Sequence, residues 1–129
     1  MPIINYKPFL IGKVKDGSKT HTIRFGKRIY KVGQTAIQAT GMRTKNYQEH
    51  RRDEITSVEK IRIQLVNSTL KIWINNVELD VIQFKHLVNN DGFKYSRDFI
   101  QFFQTQYGSQ FDITGQLIQW GTPIDYASI

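Results

Sequence analysis

Gly17-Ser18-Lys19-Thr20-His21-Thr22-Ile23-Arg24 joins a glycine turn to a β-rich segment and crowds a lysine, two threonines, a histidine and an arginine at the strand entry. A fold does not require that combination, and reactive or anion-binding side chains delivered from a glycine-containing loop are usually placed for a ligand. Upstream, Phe9-Leu10-Ile11 with Val14 has helical spacing and stops at Asp16-Gly17, which predicts a short helix ended by glycine. Downstream, Thr20 to Phe25 predicts a strand. The order helix, glycine, polar strand entry organises the rest of the reading.

Lys31-Val32-Gly33-Gln34 reads as a turn launching a second strand from Thr35 to Thr40, and a basic loop is expected from Met42 to Arg52. In Ile55 to Val66, Ile61, Ile63 and Leu65 alternate with Arg62, Gln64 and Val66, the period of a half-buried strand. Leu70, Ile72 and Ile74 repeat it after the turn Asn67-Ser68-Thr69, and Asn75-Asn76 signals another tight turn. A helix is expected from Val81 to Val88, broken by Asn89-Asn90-Asp91-Gly92. A second begins at Ser96 as N-cap with Asp98 in its first turn. Its stripe of Phe99, Phe102, Phe103 and Tyr107 reads as core, and Gly108 ends it. Gly115 to Trp120 reads as a closing strand. The expected class is α+β: one domain over residues 1–129, a small, mostly antiparallel sheet or barrel with two or three helices.

The 129 residues suit a single domain with its own core, and no repeat or linker divides them. There is no cysteine, which excludes disulfides, a thiolate nucleophile and cysteine-ligated zinc. His21, His50 and His86 are too scattered for a metal site, no cofactor fingerprint appears, and no metal or cofactor is expected. No apolar run is long enough for a membrane span and no signal peptide is legible, so the expected location is the cytoplasm. Charge is unevenly spread. Residues 1–62 hold fourteen Lys or Arg against five Asp or Glu, a net of +9, while the remainder holds four against six, a net of −2. A polyanion, most naturally a nucleic acid, is the expected partner of such a surface.

The order of parts resembles the ASCH domains of the PUA-like superfamily. Gly17, Lys19, Thr22 and Arg24 match the family's G-x-K-x-x-T-x-R, and Lys31-Val32-Gly33-Gln34 stands where the family has K-x-G-D, with Gln34 replacing the aspartate. Thr40-Gly41-Met42-Arg43-Thr44-Lys45, Thr56-Ser57-Val58-Glu59, Asn90-Asp91-Gly92-Phe93, Phe102-Phe103, Tyr107-Gly108 and Gly115 to Trp120 are similar to small ASCH-type proteins of phages and prophages. The resemblance implies a β-barrel with a cleft beside the motif, used for RNA or a modified nucleoside. Fold alone does not choose between binders and enzymes in such a superfamily.

Three readings remain open. As a binder, the domain would draw phosphate contacts from Lys13, Lys15, Lys19, Arg24, Lys27, Arg28, Arg43, Lys45, Arg51 and Arg52, with Tyr47 stacking on a base. As an enzyme, it would follow the small ASCH amidohydrolases that deacetylate N4-acetylcytidine with a lysine, a threonine and an acid. Their counterparts here are Lys19, Thr22 and Asp91, the last a methylene shorter than the glutamate expected. A lysine among cations such as Arg24 and Lys27 has a lowered pKa and can activate a threonine hydroxyl. Three apart on a regular strand, Lys19 and Thr22 would face opposite sides, so they converge only if Lys19 lies on the turn. As a phage-encoded protein, the chain would act in the host cytoplasm by binding and inhibiting a host nucleic-acid-associated complex.

Overall fold

The structure, a computed structural model, describes residues 1–129. In chain order it contains β1 (Ile3–Tyr6), α1 (Pro8–Lys15), β2 (His21–Arg24), β3 (Thr35–Thr40), β4 (Gln48–Val66), β5 (Thr69–Ile74) and β6 (Val77–Glu78). Then follow α2 (Val81–Asn90), α3 (Ser96–Tyr107), β7 (Phe111–Trp120) and a final 3-10 turn, Tyr126–Ser128. The fold is α+β, with a seven-stranded, mostly antiparallel sheet. No helix is long and apolar enough to cross a membrane.

The 19-residue β4 organises the sheet because different stretches of it pair with different neighbours. Gln48 to Glu54 pairs with β3, which lies parallel to β1, while Ile55 to Leu65 pairs with β7 and Ile61 to Val66 with β5. Strand β2 joins only β7, setting His21 opposite Gln119 and Arg24 opposite Gln116. The path β1-β3-β4-β5-β6 stays open and does not close into a barrel.

The alternation in β4 works as expected. Ile61, Ile63 and Leu65 are buried, face Ile74, Ile72 and Leu70 of β5, and form a core with Leu117, Ile118 and Phe99. Burying each such side chain contributes roughly 1.5–3 kcal/mol. Asn67-Ser68 and Asn75-Asn76 all adopt positive φ, the backbone that two-residue hairpin turns demand.

Four local expectations change, and one strand is added. Gln48 to Arg52, expected in a basic loop, belongs to β4, where pairing with β3 overrides polar composition. Strand β1 was not legible because four residues give too short a pattern; its parallel pairing with β3 makes it. Strand β7 begins at Phe111, four residues before Gly115, and pairs with β4 throughout. Helix α2 continues to Asn90 with a capping box between Asp80 and Gln83. Helix α3 is capped by Tyr95 without a side-chain bond, and Ser96 is its first helical residue, while Asp98 does occupy the first turn.

Candidate functional site

Three separate parts of the chain meet at the entry of β2. Lys19 lies on the connection before the strand, not in it, and its N–H donates to Lys13 O at the end of α1 (2.9 Å). The strand entry is thereby tied to the preceding helix, and Lys19 is freed from the strand's alternation. From the other side, α2 ends at Asp91, and Gly92 turns the chain back with φ +103°. Any Cβ at Gly92 would lie 3.1 Å from Leu10 and 3.6 Å from the Lys19 side chain, so a glycine lets this corner settle onto α1 and Lys19.

The result is a buried ion pair across 72 residues of sequence. Lys19 Nζ donates to both the carboxylate and the backbone carbonyl of Asp91, each at 2.8 Å. Both side chains are almost fully buried. Burial pushes the Lys19 ammonium below its ordinary pKa even though Asp91 opposes the shift. For Asp91, burial alone raises the pKa, but the Lys19 charge and the contacts with His21 and Lys19 together outweigh it, and the carboxyl is held below its ordinary value.

Strand β2 is covered on both faces. His21 is fully buried, with Nδ1 2.8 Å from the Tyr126 hydroxyl and Nε2 3.0 Å from Asp91 Oδ1. The second contact is close but bent, leaving Nε2 as the one buried side-chain polar atom without a well-formed hydrogen bond. Thr22 faces the opposite side, where its Oγ1 accepts from Arg24 Nε at 3.2 Å. Tyr6 of β1 lies beneath both cations, its ring centre 5.1 Å from the Arg24 guanidinium and 5.9 Å from Lys19 Nζ, within cation–π range. Its hydroxyl donates to Gln38 (2.7 Å), and burial, partly offset by Arg24, raises its pKa well above the ordinary tyrosine value.

These residues open into a cleft of about 340 Å³ whose polar floor is Lys19, Thr22, Arg24 and Asp91 and whose walls include Tyr6, Phe25, Phe93, Phe102 and Tyr107. A volume of that size is at the lower end for small-ligand pockets, and apolar walls with a few convergent polar groups are their usual make-up. The aromatic stripe of α3 is therefore divided: Phe99 is wholly core, the buried Phe103 also borders the cleft, and the more accessible Phe102 and Tyr107 line it.

Of the residues singled out in the sequence, Lys19, Thr22, Arg24 and Asp91 are brought together. Lys13, Lys15, Lys27, Arg28, Arg43, Lys45, Tyr47, Arg51 and Arg52 lie outside the cleft. Arg51 bridges Val14 O (3.0 Å) and Asp53 (2.6 Å), and Arg52 pairs with Glu49 at 2.9 Å; both are engaged within the fold. Arg43 sits in a turn at positive φ, and Lys27, Arg28, Lys45 and Tyr47 are exposed. Gln34 accepts from the Lys31 N–H at 2.9 Å and so ties its own turn, away from the cleft. His86 is exposed on α2, and no trio of His, Asp or Glu side chains is gathered as a metal site.

Sequence reasoning missed Tyr6, Asn90 and Tyr126, and quoted His21 in the motif without giving it a part in the site. Tyr6 sits on a strand too short to show a pattern, and nothing local points to Tyr126, which reaches His21 across 105 residues. No protein-family model, curated protein or solved structure matches the chain.

Proposed function

We propose that this protein recognises a modified nucleoside, free or as one unit of an RNA, in the cleft at the entry of β2, as an ASCH-type domain with an open variant of the PUA-like sheet. The observation carrying this reading is that Lys19, Thr22 and Arg24 of the motif share one cleft with the distant Asp91 and a ring of aromatic walls. Aromatic faces stack on a base without regard to its identity, while a few fixed polar groups read its edge. Titration with N4-acetylcytidine and cytidine by calorimetry tests the reading, alongside filter binding of single-stranded RNA at rising salt. Saturable binding that is lost in Arg24→Ala supports it; no binding of either nucleoside or RNA refutes it.

A second reading, hydrolysis of an amide on the nucleoside, is favoured by the buried Lys19 amine with its lowered pKa beside a threonine hydroxyl in the same cleft. The deprotonated fraction of Lys19, which the lowered pKa enlarges, takes the Thr22 proton as the hydroxyl oxygen bonds to the acyl carbon. The carbonyl π electrons move to oxygen beside the Arg24 guanidinium. Collapse breaks the carbon–nitrogen bond, and the leaving nitrogen takes the proton back from Lys19. Water, deprotonated by Lys19, then cleaves the acyl-threonine ester to release the acid and regenerate the hydroxyl. Cytidine release from N4-acetylcytidine, abolished in Lys19→Ala and Thr22→Ala, tests this chemistry. Absence of turnover in the unmodified chain leaves a binder.

A further inference from the structure

Asp91 uses its two carboxylate oxygens unequally. Oδ1 accepts from Lys19 Nζ at 2.8 Å and lies 3.0 Å from His21 Nε2. Oδ2 has no donor within the chain, yet it is not among the buried polar atoms that lack a well-formed hydrogen bond, of which His21 Nε2, with its bent contact to Oδ1, is the sole case. Oδ2 is therefore accessible, on a side chain that is 8% exposed and lines the cleft.

Behind His21, hydrogen-bond accounting fixes the ring. The Tyr126 hydroxyl lies 3.1 Å from Asn90 Nδ2 and 2.8 Å from His21 Nδ1. An amide nitrogen only donates, and a hydroxyl has a single proton. Asn90 thus occupies one of the two lone pairs of Tyr126. The tautomer is decided on the other side of the ring: Nε2 lies 3.0 Å from Asp91 Oδ1, where a ring lone pair would be repelled by the carboxylate, so Nδ1 is the acceptor of the Tyr126 proton. The ring's own proton is then on Nε2, facing Asp91.

We infer that Asn90, Tyr126 and His21 form a directed donor chain that, together with Lys19, holds Asp91 Oδ1 and leaves Oδ2 as the acceptor for an N–H group of the ligand. This rests on the nucleoside reading, in which that group is the exocyclic nitrogen of the base. His21 and Tyr126 are positioning residues, because neither lines the cleft. Asn90, in the last turn of α2, and Tyr126, in the final 3-10 turn, thus both act on one carboxylate through His21.

The experiment has two arms. Long-range proton–nitrogen NMR on the whole protein at neutral pH reads the His21 ring without any ligand. It should show Nε2 protonated in the unmodified chain, and an Nδ1 resonance shifted by the loss of its hydrogen bond in Tyr126→Phe with unchanged circular dichroism. Calorimetry then compares N4-acetylcytidine, which keeps one N–H, with the smaller N4,N4-dimethylcytidine, which has none. The acetylated nucleoside should bind about tenfold more tightly, a difference that shrinks about fivefold in Tyr126→Phe. A ring protonated on Nδ1 in the unmodified chain overturns the donor chain, and equal affinity for the two nucleosides overturns the role of Oδ2. If neither nucleoside binds, the nucleoside reading and the ligand assigned to Oδ2 fall together, while the spectrum alone still decides the donor chain.

Discussion

Lys19 is a charged side chain placed where water barely reaches, and its stability depends on Asp91. Removing one member of a buried pair leaves the other uncompensated, which costs about 3–5 kcal/mol. Lys19→Met should therefore lower the unfolding free energy by that amount in urea titrations at neutral pH, whereas the double variant Lys19→Met, Asp91→Leu should recover much of the loss. A deficit below 1 kcal/mol (about the worth of an exposed pair) would contradict the buried pair. His21 adds a pH signature. Burial pushes its pKa below the ordinary 6.5, with the contact to Asp91 opposing. Between 6.5 and that lowered value the unfolded chain binds a proton that the folded chain refuses, so stability falls as the pH falls. Asp91 acts in the same direction lower down: the stability it contributes is present above 3.8 and is lost as the pH drops through its depressed folded value. Urea midpoints measured from about pH 7 to about pH 5 should decline, and His21→Gln should flatten the slope. An already flat profile in the unmodified chain would argue against a buried neutral ring.

At the scale of elements, the cleft depends on where β2 is held. Its partner is β7, and Gly115 of β7 passes so close to it that a Cβ there would strike the Arg24 carbonyl and the Phe25 ring. Gly115→Ala must push the end of β2 outward, carrying the Arg24 backbone with it. Overpacking of this kind costs about 1–3 kcal/mol. Thermal unfolding should register that loss, and any ligand that uses Arg24 should bind more weakly; an unchanged melting temperature would mean that β7 yields instead. Asp80→Ala at the start of α2 is a useful contrast. It removes the capping box, so about 1 kcal/mol of stability should go, with no change in ligand affinity because the cap lies at the far end of the helix from Asp91.

For the whole molecule, the charge asymmetry and the cleft are separable. The cleft takes only Lys7, Lys19 and Arg24 from the basic residues, while Lys27, Arg28, Arg43 and Lys45 remain exposed outside it. If RNA lies across that surface, each phosphate neutralised steepens the salt dependence of log K by about 0.7. Arg43→Glu with Lys45→Glu should then reduce the slope measured by filter binding, by up to about 1.4 for two lost contacts, while leaving nucleoside affinity intact. An unchanged slope would restrict recognition to the cleft.

Much was legible in the chain itself. The period of two in Ile61, Ile63 and Leu65, the stop at Asp16-Gly17 and the paired asparagines at 75 and 76 express local backbone and burial preferences, which is why the α+β class, the helices and the hairpin turns were readable. The glycine-turn motif likewise marks Lys19, Thr22 and Arg24 by local sequence alone. What local preference cannot encode is which distant groups share one low-dielectric space. The pairing of β1 with β3 that supplies Tyr6, the corner at Gly92 that sets Asp91 onto Lys19, and the approach of Tyr126 to His21 exist only once the sheet and helices have packed. The tertiary structure alone took Lys19 and Asp91 out of water, and that desolvation turns two ordinary charged residues into a candidate site.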